Sequence, residues 1–310
     1  MRWDSIISRR PGEKSPVGEF PVKYPVCARV LGPLTLALNN HNATPTAQKQ
    51  RQLLALLLIR HDTVVPVTTL IEELWNDDPP RSAVTVVQTY VLGIRKKMAV
   101  QLGVGQAEVA ERFLRTRNKG YSFDVEDCVF DLRDYQSMSA AARCAAKAGD
   151  DERAVDLFSA AEALWSGPAL VDVEGGIPLA AEISHLDQLR LTDIELRVEA
   201  ELRLGRHREA CADLARLTMQ HPLHERLQAY YMFALCRSGQ RARALASYQQ
   251  FSRSMQHELG LDPCQKLQKL HRDILAASDG SVSAMLNSRH AGYLIGWYSP
   301  EFRTASAETA

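Results

Sequence analysis

The segment SAVTVVQTYVLGIRKKM, residues 82–98, follows a Pro79-Pro80 break that stops a helix from running in from behind. Ser82 is the expected N-cap. Val84, Val87, Val91, Ile94 and Met98 recur at helical spacing and make one apolar stripe. At about 100° per residue, Thr85, Gln88, Thr89, Leu92 and Lys96 fall on the opposite face, with Arg95 at its edge. Short polar side chains and bases turned away from a core seam suit a helix that enters a DNA major groove. Taken alone, the pattern also fits an ordinary amphipathic surface helix, so the neighbouring segments have to separate the two.

Upstream, Asn76-Asp77-Asp78-Pro79-Pro80-Arg81 reads as a turn. Before it, Leu70, Ile71, Leu74 and Trp75 give a helix over about residues 67–75, led in by a short strand at Val64-Val65. Another helix is expected from Thr46 to about Arg60, buried through Leu53, Leu54, Leu57 and Leu58, with Thr44 as cap and Pro45 at its first position. Residues 26–38, VCARVLGPLTLAL, alternate around Gly32-Pro33 and predict a two-stranded hairpin. Residues 1–25 mix charges with Pro11, Gly12, Pro16, Gly18, Pro21 and Pro25 and read as a flexible leader.

Downstream, residues 103–106 are a break. Residues 111–125, ERFLRTRNKGYSFDV, then carry a hairpin signal at Asn118-Lys119-Gly120. Arg115 and Arg117 share a face of its first strand, and Tyr121, Phe123 and Val125 alternate on the second, turned toward the helices. The order strand pair, helix, strand, helix, turn, helix, basic hairpin is that of a winged helix-turn-helix with the hairpin as the wing. Residues 82–123 hold seven Lys and Arg against two Glu, an excess suited to phosphate contacts.

The length of 310 residues fits two domains. A formal net charge of zero conceals an asymmetry. Residues 1–123 carry 17 Lys+Arg against 10 Asp+Glu, and residues 124–310 carry 20 against 27. That division suggests a polyanion-binding module joined to a partner-binding one. The six cysteines have neither CxxC pairing nor zinc-ligand spacing and read as small buried apolar side chains in a reducing compartment. No apolar run reaches the roughly 18 residues of a membrane span, and the N-terminus lacks a signal-peptide core. The expected location is the cytoplasm, on the nucleoid when bound to DNA.

From Asp131 the texture is helical. Gly205-Arg206-His207-Arg208-Glu209-Ala210 and Gly239-Gln240-Arg241-Ala242-Arg243-Ala244 match at an offset of 34, and Gly149 to Ala154 is a more distant copy. This period, with Gly in the inter-helix turn and Ala where helices pack, is that of tetratricopeptide repeats. Residues 164–170, LWSGPAL, form a connecting loop, and a long helix over about residues 179–204 follows. Gly260 and Pro263 end a later helix, and the last runs to about Ala277. Residues 278–310 lose the pattern but contain an aromatic cluster, Tyr293, Leu294, Ile295, Trp297 and Tyr298. The expected fold is therefore mostly α. An N-terminal winged helix-turn-helix (α+β) at 26–125 precedes an all-α tetratricopeptide-like domain at 131–277, with a leader at 1–25 and a tail at 278–310.

With these elements in place, the chain resembles the Streptomyces antibiotic regulatory proteins, over about residues 28–277. The matching residues are LIEELW at 70–75 with Pro79-Pro80, Gln88-Thr89-Tyr90-Val91, Ile94-Arg95-Lys96-Lys97, Gly120-Tyr121, LWSGPAL at 164–170, HPLHE at 221–225, Ser238-Gly239-Gln240 with Ala244-Leu245 and Tyr248, and ELGLDP at 258–263. The resemblance implies an OmpR-like winged helix joined to a bacterial transcriptional activation domain. It implies a pathway-specific activator that binds promoter direct repeats, as a dimer or tandem copies, and recruits RNA polymerase to secondary-metabolite (antibiotic) genes. Thr85, Gln88, Thr89, Arg95 and Lys96 would then read or flank the major groove. Arg115, Arg117, Asn118 and Lys119 would grip the adjacent minor-groove backbone. Asn76, Asp77, Asp78 and Arg81 would lie in the turn that meets polymerase, at its sigma or alpha subunit. The chain reads as a small member that begins at its DNA-binding domain, without the ATP-binding loop of longer relatives. It departs from them at Leu92 and Gly93, where polar or basic residues are usual. Leu92 could meet a thymine methyl, or the pair could alter or weaken recognition.

An interaction adaptor, with the repeats recruiting a partner beside a degenerate winged helix, is the competing reading. An enzyme is not expected: the sequence has no HExxH, GxSxG or nucleotide-binding Gly loop. His221 and His224 read as a turn between repeats, and the acid runs at Asp77-Asp78 and Asp150-Asp151-Glu152 as helix-end features. No cofactor, metal or membrane partner is expected.

Overall fold

In the computed structural model, which describes residues 26–61 and 63–276, the alternation of the first segment produces the expected hairpin. Strand β1 (Val26–Arg29) pairs antiparallel with β2 (Thr35–Leu38), and Val26, Ala28, Leu36 and Leu38 point into the core. Strand β3 (His41–Asn42) adds to β2, and β7 (Cys128–Phe130), which the sequence did not announce, lies parallel to β1. The leader at 1–25 and the aromatic cluster at 293–298 lie outside the described residues.

Helix α1 (Gln48–Ile59) starts later than its sequence suggests. Thr44 does not cap it, because its hydroxyl accepts the Leu36 N–H at 2.8 Å and serves the sheet instead. Every residue from Leu53 to Ile59 is buried, so the last two turns of this helix are enclosed on all sides rather than on one face. Strand β4 (Val65–Pro66) leads into α2 (Val67–Trp75), and an exposed turn follows at 76–82.

Helix α3 (Ala83–Leu102) buries Ala83, Val87, Val91, Ile94, Met98, Ala99 and Leu102 and ends in left-handed Gly103. Val84 departs from the expected stripe and is 50% exposed. It sits at the stripe's edge in the first turn, beside an exposed turn that covers nothing. Ser82 occupies the cap position without a side-chain bond. The 103–106 break leads into a short helix missed in the sequence, α4 (Gln106–Arg112), whose Glu108 and Arg112 suit its two ends. Strands β5 (Leu114–Arg117) and β6 (Gly120–Phe123) form the wing, in a second sheet ordered β4-β6-β5. Tyr121, Phe123 and Val125 are buried, as their alternation predicts.

The remaining described helices are α5 (Asp131–Lys147), α6 (Asp151–Glu162), α7 (Ile177–Arg203), α8 (His207–Gln220), α9 (Glu225–Arg237), α10 (Arg241–Leu259) and α11 (Gln265–Ala276). The three repeat glycines, Gly149, Gly205 and Gly239, have φ of 78°, 76° and 76°. After each, the next N–H returns to the carbonyl five residues earlier: Asp150 to Ala145, Arg206 to Glu201, Gln240 to Leu235. This is one helix-stop motif used three times, and it needs a left-handed residue. Ala154, Ala210 and Ala244, five residues after each glycine, are fully buried.

By contacts the chain forms two units. One runs to Met138 and takes in Ala160–Arg190; the other contains Ser139–Ser159 and the chain from Leu191. In the first, the 164–170 loop is bonded onto the hairpin through Ser166 N–H to Leu31 and Leu170 N–H to Val30. Asp131, 3% exposed, accepts the N–H groups of Val30, Leu31 and Leu132. Burial pushes its carboxyl up to about 6 against the pull of those donors. Trp165 lies edge-on to Tyr135 and beneath Arg190, which is paired with Glu162. In the second unit, four acids in the C-terminal half of α7 carry ion pairs. Asp193 meets Arg143, Glu195 and Glu199 meet Arg226, and Glu201 meets Arg197. Of the cysteines, Cys128 and Cys236 are buried, but Cys144 is exposed because it falls on the outer side of α5; all six are free thiols.

Candidate nucleic-acid interface

The face of α3 that the sequence predicts to read DNA is open to solvent. Thr85, Gln88, Thr89, Leu92 and Lys96 are all exposed, while Val87, Val91 and Ile94 anchor the opposite side in the core. Thr89 donates its hydroxyl to the Thr85 backbone carbonyl at 2.9 Å, which holds the Thr89 side chain back along the helix surface. Gly93 lies off this face: a side chain there would start 3.3 Å from the Gln50 amide on α1.

Arg95 is half-buried and turned toward the wing. Its Nε and one terminal nitrogen donate to the Leu114 carbonyl at 3.0 and 2.7 Å, and the same nitrogen donates to the Thr116 hydroxyl at 2.8 Å. Burial lowers its pKa from the usual arginine value. This arginine fastens α3 to β5 and so fixes the angle between helix and wing. Thr116 and the Leu114 carbonyl had no signal in the sequence, because neither belongs to a charged or periodic pattern.

The wing turn at Asn118 and Lys119 is exposed, with Lys119 in the left-handed region at φ 63°. The Lys119 carbonyl accepts the Val67 N–H at 3.0 Å, tying the turn to the start of α2. Arg115 and Arg117 do not fare alike. Arg115 pairs with Asp124 at 2.8 Å and donates to the Glu111 carbonyl at 2.6 Å, whereas Arg117 is exposed at the tip. Lys97 donates to the Thr44 carbonyl at 2.7 Å, and Arg112 pairs with Asp127 at 2.7 Å. The cations left facing solvent between residues 82 and 123 are thus Lys96, Arg117 and Lys119.

The turn with Asn76, Asp77, Asp78 and Arg81 is exposed throughout, and Asn76 adopts φ 50° as α2 ends. Its footing is Glu73, a residue not singled out in the sequence. Glu73 is 1% exposed, and its carboxylate accepts the Gly176 N–H at 2.6 Å and the Leu179 N–H at 2.9 Å. It thereby caps the start of α7, with burial raising its pKa. A side chain at Gly176 would start 2.3 Å from the Glu73 carbonyl oxygen, so only glycine admits this approach. Beside it, Lys49 donates to the Leu74 carbonyl and stands over the Trp75 ring. Among the described residues, no group of His, Cys, Asp and Glu could hold a metal ion, and no helix is long and apolar enough to cross a membrane.

Comparison with known proteins adds the family. A family model described as transcriptional regulatory protein, C terminal, matches residues 41–123, and one described as bacterial transcriptional activator domain matches residues 130–275. The chain is 39% identical to the regulatory protein DnrI of Streptomyces peucetius over 251 residues, which is 81% of this chain and 92% of that protein. It is 31% identical to the transcriptional regulator RedD of Streptomyces coelicolor over 80% of its own length and 69% of RedD's. Among solved structures, Mycobacterium tuberculosis EmbR in complex with a low-affinity phosphopeptide matches with a TM-score of 0.73. The identity there is 29%, covering 87% of this chain and 70% of that one. A winged helix and an activator domain in the same order, shared with these regulators over four-fifths of its length, make the chain a member of the Streptomyces antibiotic regulatory protein family of transcriptional activators.

Proposed function

We infer that this activator binds double-stranded promoter DNA at direct repeats and recruits RNA polymerase to a secondary-metabolite (antibiotic) gene cluster. The observation that carries the reading is the pairing of two exposed features in one unit. One is the α3 face of Thr85, Gln88, Thr89, Leu92 and Lys96; the other is the wing tip with Arg117, Asn118 and Lys119. A helix face of this kind specifies bases while the tip cations position it on phosphates. Arg95 and Arg115 act inside the protein, holding the wing against α3 and closing its base. The DNA-binding domain is assigned to 26–125 and the activation domain to 131–277. Asn76, Asp77, Asp78 and Arg81 are assigned to polymerase contact, and tandem copies to adjacent repeats.

Binding of the full chain to DNA flanking its own gene tests this reading. Retention that falls steeply with salt supports it, because each neutralised phosphate releases a counterion. Salt-insensitive or absent binding rejects it in favour of the adaptor reading.

A further inference from the structure

The exposed face of α3 carries a single cation once its contacts are drawn. Arg95 is committed to Leu114 and Thr116, and Gly93 faces Gln50, which leaves Lys96 as the one cation on the exposed row of α3. Two apolar tips stand on the same row. Val84, Gln88, Leu92 and Lys96 follow one another at four-residue intervals, and Val84 and Leu92 are 50% and 55% exposed. An isolated exposed leucine needs no explanation. Two branched apolar side chains bracketing a glutamine, Leu92 on the reading face and Val84 at its edge, are a different matter. In the major groove the apolar feature that such side chains can cover is the C5-methyl of thymine, and glutamine is the matching reader of adenine N6 and N7.

Resting on the DNA-binding reading above, the geometry points to Leu92 as a specificity-determining residue that reads a thymine methyl, with Val84 reading a second. Eight residues of helix advance about 12 Å. At about 3.4 Å per base pair, a helix lying along the groove sets the two methyls three to four base pairs apart, with an adenine for Gln88 between them. The repeat unit recognised is therefore A·T-bearing at these positions. The readout is apolar, so discrimination at them persists at high salt while overall affinity falls.

The test uses the full chain and the duplex it protects in a footprint, with each thymine of one repeat replaced in turn by deoxyuridine. Removing one methyl that Leu92 covers is expected to weaken binding roughly fourfold at that position. Leu92→Ala is expected to bind the thymine and uracil duplexes alike there, while still discriminating at the Val84 position. Val84→Ala should show the converse. Equal affinity for thymine and uracil at every position, by a wild-type protein that binds the duplex, overturns this inference and leaves the DNA-binding reading standing. Discrimination that survives unchanged in Leu92→Ala also overturns it. Absence of binding to any duplex overturns both.

Discussion

Arg95 and Arg115 show what a single side chain can hide. Both sit in the basic segment that the sequence marks for phosphate contact, yet one is spent on the Leu114 carbonyl and the other on Asp124. Charge and spacing were legible, but the partners that absorb the charge were not, since they lie on other strands. The distinction predicts unequal mutants. Arg117→Ala should lower affinity for all sequences alike and reduce the salt slope by about 0.9 in log–log terms. Arg115→Ala should leave the slope nearly unchanged and cost about 0.5 to 1 kcal/mol of stability. Fluorescence anisotropy across a salt series, with a thermal melt of each variant, separates the two.

Asp131 is the corresponding case in the core. Asp131→Ala strands three buried N–H donors and should destabilise the protein by roughly 3 kcal/mol. Its pH dependence has a definite sign. The folded carboxyl keeps its proton to about pH 6, whereas an unfolded aspartate loses it near 3.9. The unfolded chain therefore binds fewer protons between those values, and this residue's contribution is largest below about pH 4 and declines as pH rises through 6. Denaturant titrations of wild type and Asp131→Asn from pH 4 to 7 should show the difference between them shrinking in that direction.

Among the elements, those with their own periodicity or turn chemistry were legible. The α3 core seam, the Asn118-Lys119 wing turn and the three glycine stops between repeats all follow from local sequence. Elements defined by distant partners were not: β7 is a strand because β1 lies beside it, and the last two turns of α1 are buried on every side because other elements surround them. Val84 escaped for a related reason, since helical spacing says which residues share a face but not where the core ends. The Glu73 cap on α7 joins two elements that are about a hundred residues apart in sequence, and it sits at the base of the 76–81 turn. Glu73→Gln should therefore reduce promoter activation in a purified transcription assay more than it reduces DNA affinity. Gly239→Ala, which forces a side chain into the left-handed region, should cost about 1 to 2 kcal/mol and leave the α3 face untouched.

For the molecule as a whole, the zero net charge misleads and the split between a basic first part and an acidic remainder informs. The acids of α7 are matched to arginines inside their own unit, so they are internal scaffolding rather than a free acidic surface. The first unit also reaches beyond the winged helix, because Ala160–Arg190 packs on the β1–β2 hairpin and on Glu73. A fragment of residues 26–125 lacks Asp131, Trp165 and Leu170 and should melt less cooperatively, and bind more of a hydrophobic dye, than the full chain. The measurement that bears most directly on the central claim is a footprint of the full-length protein on DNA flanking its own gene, taken across a salt series. The account predicts a protected direct repeat with a period of one or two helical turns, lost steeply as salt rises. Absence of salt-sensitive protection, with a protein partner captured equally well by chains whose Arg117 and Lys119 are replaced, would contradict it.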